Sequence, residues 1–169
     1  MKTHLLLAAF FYILAMSFCT SGTAQTVSVT ASLKTIPATV DRNKVLQLIN
    51  SVRKKGCQCG DTYYYPASPL VWNTQLETAA YNHTADMAKN KFFSHAAPDG
   101  SRGGARLERA GYSWKTYGEN IGEGYTNEKE MIAGWLASPG HCKNIMNKTY
   151  TEMAVARVGN LWTQEFGSR

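Results

Sequence analysis

The sequence predicts an α+β fold class, and three observations carry that prediction. Apolar residues recur at helical spacing in the first half, at Val45, Leu48, Ile49 and Val52 and again at Leu76, Ala80, His83 and Met87. Two strand-like runs, Met153 to Val158 and Leu161 to Phe166, flank a Gly159-Asn160 turn near the end. With 169 residues and 44% hydrophobic side chains, the chain suits one domain with a substantial core. Helices first, then helices mixed with antiparallel strands, is a pattern of layered α+β domains.

The first residues read as a leader. Lys2 and His4 precede an apolar run, and small residues follow as far as Gly22-Thr23-Ala24. This order of basic, apolar and small-residue segments predicts a signal peptide over 1–24, cleaved before Gln25. The run from Leu5 to Phe18 is 14 residues, short of the ~20 needed to cross a bilayer, so no membrane span is expected. Lipid anchoring at Cys19 is the lesser alternative, because the bulky Phe18 precedes it. The expected location is secreted or periplasmic. Residues 25–40, rich in Thr, Ser, Ala and Val, read as an N-terminal arm, and 41–169 as the folded domain.

Formal charge is +6, but the basic residues are scattered apart from Arg53-Lys54-Lys55. That run falls at a helix C-terminus, where cations complement the helix dipole. No basic-aromatic array stands out, so nucleic acid is not an expected partner.

Removal of the leader leaves Cys57, Cys59 and Cys142. In an oxidising compartment Cys142 is expected to pair with one of the other two, Cys59 being taken and Cys57 kept as the alternative. Direct bonding within Cys57-Gln58-Cys59 would be strained. A bridge to Cys142 closes more than 80 residues and is worth roughly 4 kcal/mol in the chain-entropy model. A metal site on the three sulfurs is the rival reading.

Along the chain, Asp41 caps a first helix that Gly56 stops. Cys57 to Pro69 reads as a loop whose Tyr63-Tyr64-Tyr65 run covers apolar surface. A second helix spans Asn73 to Lys89, after which Phe92 and Phe93 return to the core. A short helix from Ala105 to Ala110 follows a loop, and Gly118 to Ile121 is extended. Asn127 and Glu130 open a further helix as a capping box. Met131, Ile132, Trp135 and Leu136 form its buried face, Pro139-Gly140 ends it, and His141 to Met146 adds further turns.

Three histidines lie beyond the leader: His83, His95 and His141. Imidazole both titrates near neutrality and ligates metals. His83 sits on an apolar helix face and reads as a core histidine. His95 ends an aromatic pair and opens a polar loop, and His141 follows a Pro-Gly break. Glu119 stands between Gly118 and Asn120 in a half-buried segment, where a carboxylate needs a partner.

Four segments resemble the CAP superfamily, which includes cysteine-rich secretory proteins, venom allergens and plant pathogenesis-related proteins. They are Phe93-Ser94-His95, Gly118-Glu119-Asn120-Ile121, Trp135-Leu136-Ala137-Ser138-Pro139-Gly140-His141 and Trp162-Thr163-Gln164-Glu165-Phe166-Gly167. The Ser-Pro-Gly-His spacing is similar to that of the bacterial branch. The resemblance implies a three-layer α-β-α sandwich with a small antiparallel central sheet. It also implies a cleft of two histidines and acidic residues, to which His95, Glu119 and His141 correspond. Ser138 stands where many eukaryotic members carry a second glutamate.

Three functions follow as expectations. His95, His141 and Glu119 form a set able to hold zinc or another divalent metal, with an open position. The same three are candidate catalytic groups, with Ser94 or Ser138 as nucleophile and Asn120 beside them in the cleft, in a hydrolase acting on peptides or related extracellular polymers. No Gly-x-Ser-x-Gly elbow or His-Glu-x-x-His helix supports that chemistry. The third is a binding or signalling module for an extracellular protein, peptide or lipid. The sequence leans toward binding. The bland alternative is a hydrogen-bonded network that fixes loops and does no chemistry.

Overall fold

The computed structural model describes residues 40–169; the segment read as a leader (1–24), with Cys19, and the segment read as an arm, up to residue 39, lie outside the described residues. Among the described residues no helix is long and apolar enough to cross a membrane.

Helix α1 (Arg42–Lys55) begins where the Asp41 carboxylate accepts the Lys44 N–H at 3.0 Å. Val40, assigned to the arm from sequence, is buried in the same cluster as Val45, the pairing of a hydrophobic staple, so the core starts one residue early. The basic run that ends α1 divides. Lys54 and Lys55 are exposed, but Arg53 is fully buried. Its guanidinium donates to the carbonyls of Ser68, Ile145 and Asn147 at 2.7, 2.7 and 2.9 Å. Burial lowers its pKa to about 10, which still leaves it charged at neutrality. Arg53 therefore ties three chain segments together, where the sequence suggested only a cation complementing the helix dipole.

The segment read as a loop contains a hairpin, β1 (Cys57–Cys59) and β2 (Thr62–Tyr64), turned by Gly60 and Asp61 with Gly60 at φ +59°. A two-residue turn with glycine at positive φ closes antiparallel strands. Of the tyrosine run, Tyr64 packs on the core while Tyr63 and Tyr65 are exposed. Strand β3 (Val71–Trp72) then pairs parallel with β5.

Helix α2 (Thr74–Asn90) is capped by Asn73, whose side-chain oxygen accepts from the N–H groups of Gln75 and Leu76. Helix α3 (Gly103–Arg109) starts earlier than expected. Tyr117 and Trp114 occupy the space that side chains at Gly103 and Gly104 would need, each 2.9 Å from the notional Cβ. Strand β4 (Thr116–Glu123) leads to α4 (Glu128–Ala137), capped by Asn127. Ser138 breaks the helix and Pro139 opens α5 (Pro139–Met146) instead of ending α4. Proline suits a first helical position, where its missing N–H is not needed. Strands β5 (Glu152–Val158) and β6 (Leu161–Ser168) complete the fold.

The main sheet runs β3-β5-β6-β4, antiparallel except for the two-residue β3 edge. Alternation along β5 sends Met153 and Val155 into one cluster with α1, α4 and α5, and Ala154 into another with Leu76, Ala79 and Leu107 of α2 and α3. Three layers result, α-β-α, with β4 at the far edge of the sheet.

Candidate functional site

Strand β4 places the polar residues. Glu119 lies opposite Glu165 and Asn120 opposite Gln164 in the β4–β6 register. Side chains alternate, so one pair faces α2 and the other faces α5.

On the α2 side, Glu119 is nearly closed off, its side chain 6% exposed. One oxygen is 2.6 Å from His95 Nδ1; the other accepts the Arg106 guanidinium and lies 3.9 Å from His83 Nε2. Burial pushes the Glu119 pKa up. Burial is the largest single influence, but the hydrogen bonds with His95 and Glu165 and the charges of Arg106 and His83 together outweigh it and hold the group at about 2. Glu119 is therefore a carboxylate. Glu165 is the reverse case. It is fully buried, its oxygens meet no partner of standard hydrogen-bond geometry, and burial followed by the Glu119 charge drives its pKa far up. Glu165 is a neutral acid, since a bare carboxylate there would cost several kcal/mol.

The loop bearing His95 is pinned from beneath. His83 Nε2–H donates to the Ser94 carbonyl at 3.0 Å, and Arg106 donates to the His95 carbonyl at 3.0 Å. His83 is buried as expected, its pKa lowered by desolvation, yet it also supports the site from below. The Ser94 hydroxyl accepts from Ala96 N–H at 3.1 Å within a local turn. His95 is itself half exposed. With Nδ1 engaged by the Glu119 carboxylate, Nε2 is the ring nitrogen left for a further partner. His95 and Glu119 line a hollow of about 190 Å³ with Arg102, Gly103 and Tyr117.

On the α5 side, Asn120 is buried, not lining a cleft. It donates to Gln164 at 3.0 Å and to the His141 carbonyl at 3.2 Å, and accepts from Asn144 at 2.9 Å. That amide cluster fixes the start of α5, which carries His141. The His141 ring is half-buried, and its pKa is lowered by desolvation and then by the charge of His95. It shares a second hollow, about 250 Å³, with Ser138, Phe93, Ile121, Tyr125, Met131 and Trp135. Phe93 is 46% exposed and forms part of this wall, where the sequence placed it in the core.

His95 and Glu119 are thus in direct contact, whereas His141 is linked to His95 only through the charge that lowers its pKa. Among the described residues, the one group with three ligand atoms mutually within 4.8 Å is Cys57, Cys59 and Cys142. Two of these are joined: Cys59 and Cys142 form a disulfide, and Cys57 is a free thiol.

Sequence reasoning did not assign Arg106 or Glu165 to the site. Glu165 carried a signal, an acidic residue inside an apolar strand on the face opposite Trp162 and Phe166. Arg106 carried none, since its partner is 13 residues away and met only in the folded chain.

A family model described as the cysteine-rich secretory protein family, CAP, matches residues 46–166. The Bacillus subtilis protein YkwD is 31% identical over 147 residues, covering 86% of this chain and 53% of its own. The Bacillus subtilis membrane protein YlbC is 30% identical over 131 residues, covering 78% of this chain and 35% of its own. The chain spans about half and about a third of the length of these two relatives. Among solved structures, an extracellular SCP-domain protein from Bacillus anthracis is similar at TM-score 0.67 and 29% identity, over 76% of this chain and 40% of that one.

Proposed function

Since this chain belongs to the cysteine-rich secretory protein (CAP) family, we propose that it is an exported binding module whose His95 and His141 hold a divalent metal, zinc being the best match to imidazole. The observation that carries this reading is the 2.6 Å contact from His95 Nδ1 to Glu119. A carboxylate behind one ring nitrogen fixes the tautomer and makes the other nitrogen a better ligand. Glu119 then acts as an orienting group and not as a direct ligand, because His95 and Arg106 already occupy its oxygens. Two imidazoles leave coordination positions for water or for a ligand group. A metal held there would supply Lewis acidity and a fixed point of attachment. The apolar hollow beside His141 suits a hydrophobic portion of an extracellular protein, peptide or lipid. The leader-like N-terminus supports export, as does the extracellular character of the Bacillus anthracis relative.

Hydrolysis is less well supported. Ser138 and His141 share a hollow, but among the described residues no carboxylate pairs with His141, so a nucleophile-base-acid chain is incomplete. The test is zinc titration by calorimetry on the oxidised protein in a Cys57→Ser background, which keeps thiolate ligation out of the signal. His95→Ala and His141→Ala are each expected to abolish binding. Glu119→Gln is expected to weaken it about 10–100-fold. Binding unchanged in both histidine variants would remove the metal from this reading.

A further inference from the structure

The sulfur cluster on the hairpin plays no part in the histidine site, and its arrangement has chemistry of its own. Cys57 and Cys59 stand at i and i+2 on β1, so their side chains share one face of the strand. Cys142 of α5 lies opposite both, bonded to Cys59 and with its Sγ 3.8 Å from the Cys57 Sγ. The Cys57 thiol donates to the Gln58 carbonyl at 3.4 Å, an oxygen that lies 3.8 Å from the Cys142 sulfur. A free thiol thus rests against a disulfide sulfur. Cys57 is partly exposed, whereas Cys59 and Cys142 are buried.

We propose that Cys57, Cys59 and Cys142 form an intramolecular thiol–disulfide exchange site. Side-chain rotation brings the Cys57 thiolate in line with the Cys59–Cys142 bond; it attacks Cys142 Sγ, a Cys57–Cys142 bond forms, and the Cys59–Cys142 bond breaks. Cys59 leaves with the electron pair and takes up the proton that Cys57 released. One disulfide and one thiol exist before and after, so no oxidant or reductant is consumed. The two bridges span 83 and 85 residues, and loop-closure entropy, which varies with the logarithm of loop length, does not separate them. Cys142 is bonded in both isomers, so α5 stays tethered to β1 while the free thiol moves between a solvent-accessible position and a buried one. The accessible form is the one that an external small-molecule disulfide can cap.

Cysteine-resolved peptide mapping after acid quench, applied to chains equilibrated in a small-thiol redox buffer, tests the exchange. Cys59→Ser is expected to carry a Cys57–Cys142 bridge with neither sulfur free, and Cys57→Ser a Cys59–Cys142 bridge. Cys59→Ser with Cys57 and Cys142 both free, under conditions in which Cys57→Ser closes its bridge, would overturn the proposal. Mapping of the wild type avoids dependence on variant folding. Recovery of both Cys59–Cys142 and Cys57–Cys142 peptides supports exchange, and recovery of Cys59–Cys142 alone at every time point refutes it.

Discussion

The two flanks of strand β4 hold their histidines by different physics. On the α2 side, His95 is locked by charge: a buried carboxylate, a buried guanidinium and a second, neutral acid lie beneath it. On the α5 side, His141 is positioned by backbone, through a proline-initiated helix and an amide cluster around Asn120. The comparison shows how one edge strand supports two imidazoles of unlike character. The first is half exposed with one ring nitrogen bound to a buried carboxylate, and the second has a lowered pKa beside an apolar wall.

Arg106→Ala is the most severe way to break the charged flank. It strips the guanidinium from a buried carboxylate, and loss of one partner of such a pair costs about 3–5 kcal/mol. Chemical denaturation should show a loss of that size; one below about 1 kcal/mol would mean that the α2 flank is not held by charge. Asn120→Ala attacks the other flank. It leaves the Gln164 and Asn144 side chains short of partners, with an expected loss of about 1–3 kcal/mol in the same assay.

The titration of the two acids sharpens the contrast, and the signs are opposite. The folded pKa of Glu119 lies below its ordinary value of 4.5, so its contribution is present above pH 4.5 and lost as pH falls toward about 2. The folded pKa of Glu165 lies above 4.5, so its contribution is complete below that pH and declines as pH rises toward the raised value. Glu165→Gln, which stays neutral throughout, should match wild type in acid and gain on it as pH rises in denaturation series. A constant offset across the range would show that Glu165 does not titrate on folding. The smallest effect is expected at the apolar wall. Phe93→Ser removes an exposed ring, and surface changes of this type fall within about 0.5 kcal/mol. A thermal scan that moved by more than a few degrees would assign Phe93 to the core after all.

Much of this was legible in the residues. The apolar stripes at Val45–Ile49 and Leu76–Met87 placed α1 and α2, because helical periodicity is a local property that tertiary contacts reinforce. The closing hairpin was legible for the same reason. The β1–β2 hairpin was not, since its strands are three residues each, too short for alternation to register. Arg53 misled because a basic residue at a helix end has a sufficient local explanation, and only carbonyls 15 and more residues away along the chain reveal its burial.

The amino-acid order by itself determined the α+β class, the helical frames and the family membership that the four short motifs signal. What only the tertiary structure decided is which charges meet: Arg106 and Glu165 around Glu119, Asn120 facing away from the cleft, and Cys59 with Cys142 while Cys57 waits beside them. Periodicity is set by neighbours along the chain. Ion pairing and protonation depend on distance and burial, which exist only once strands β4 and β6 are in register.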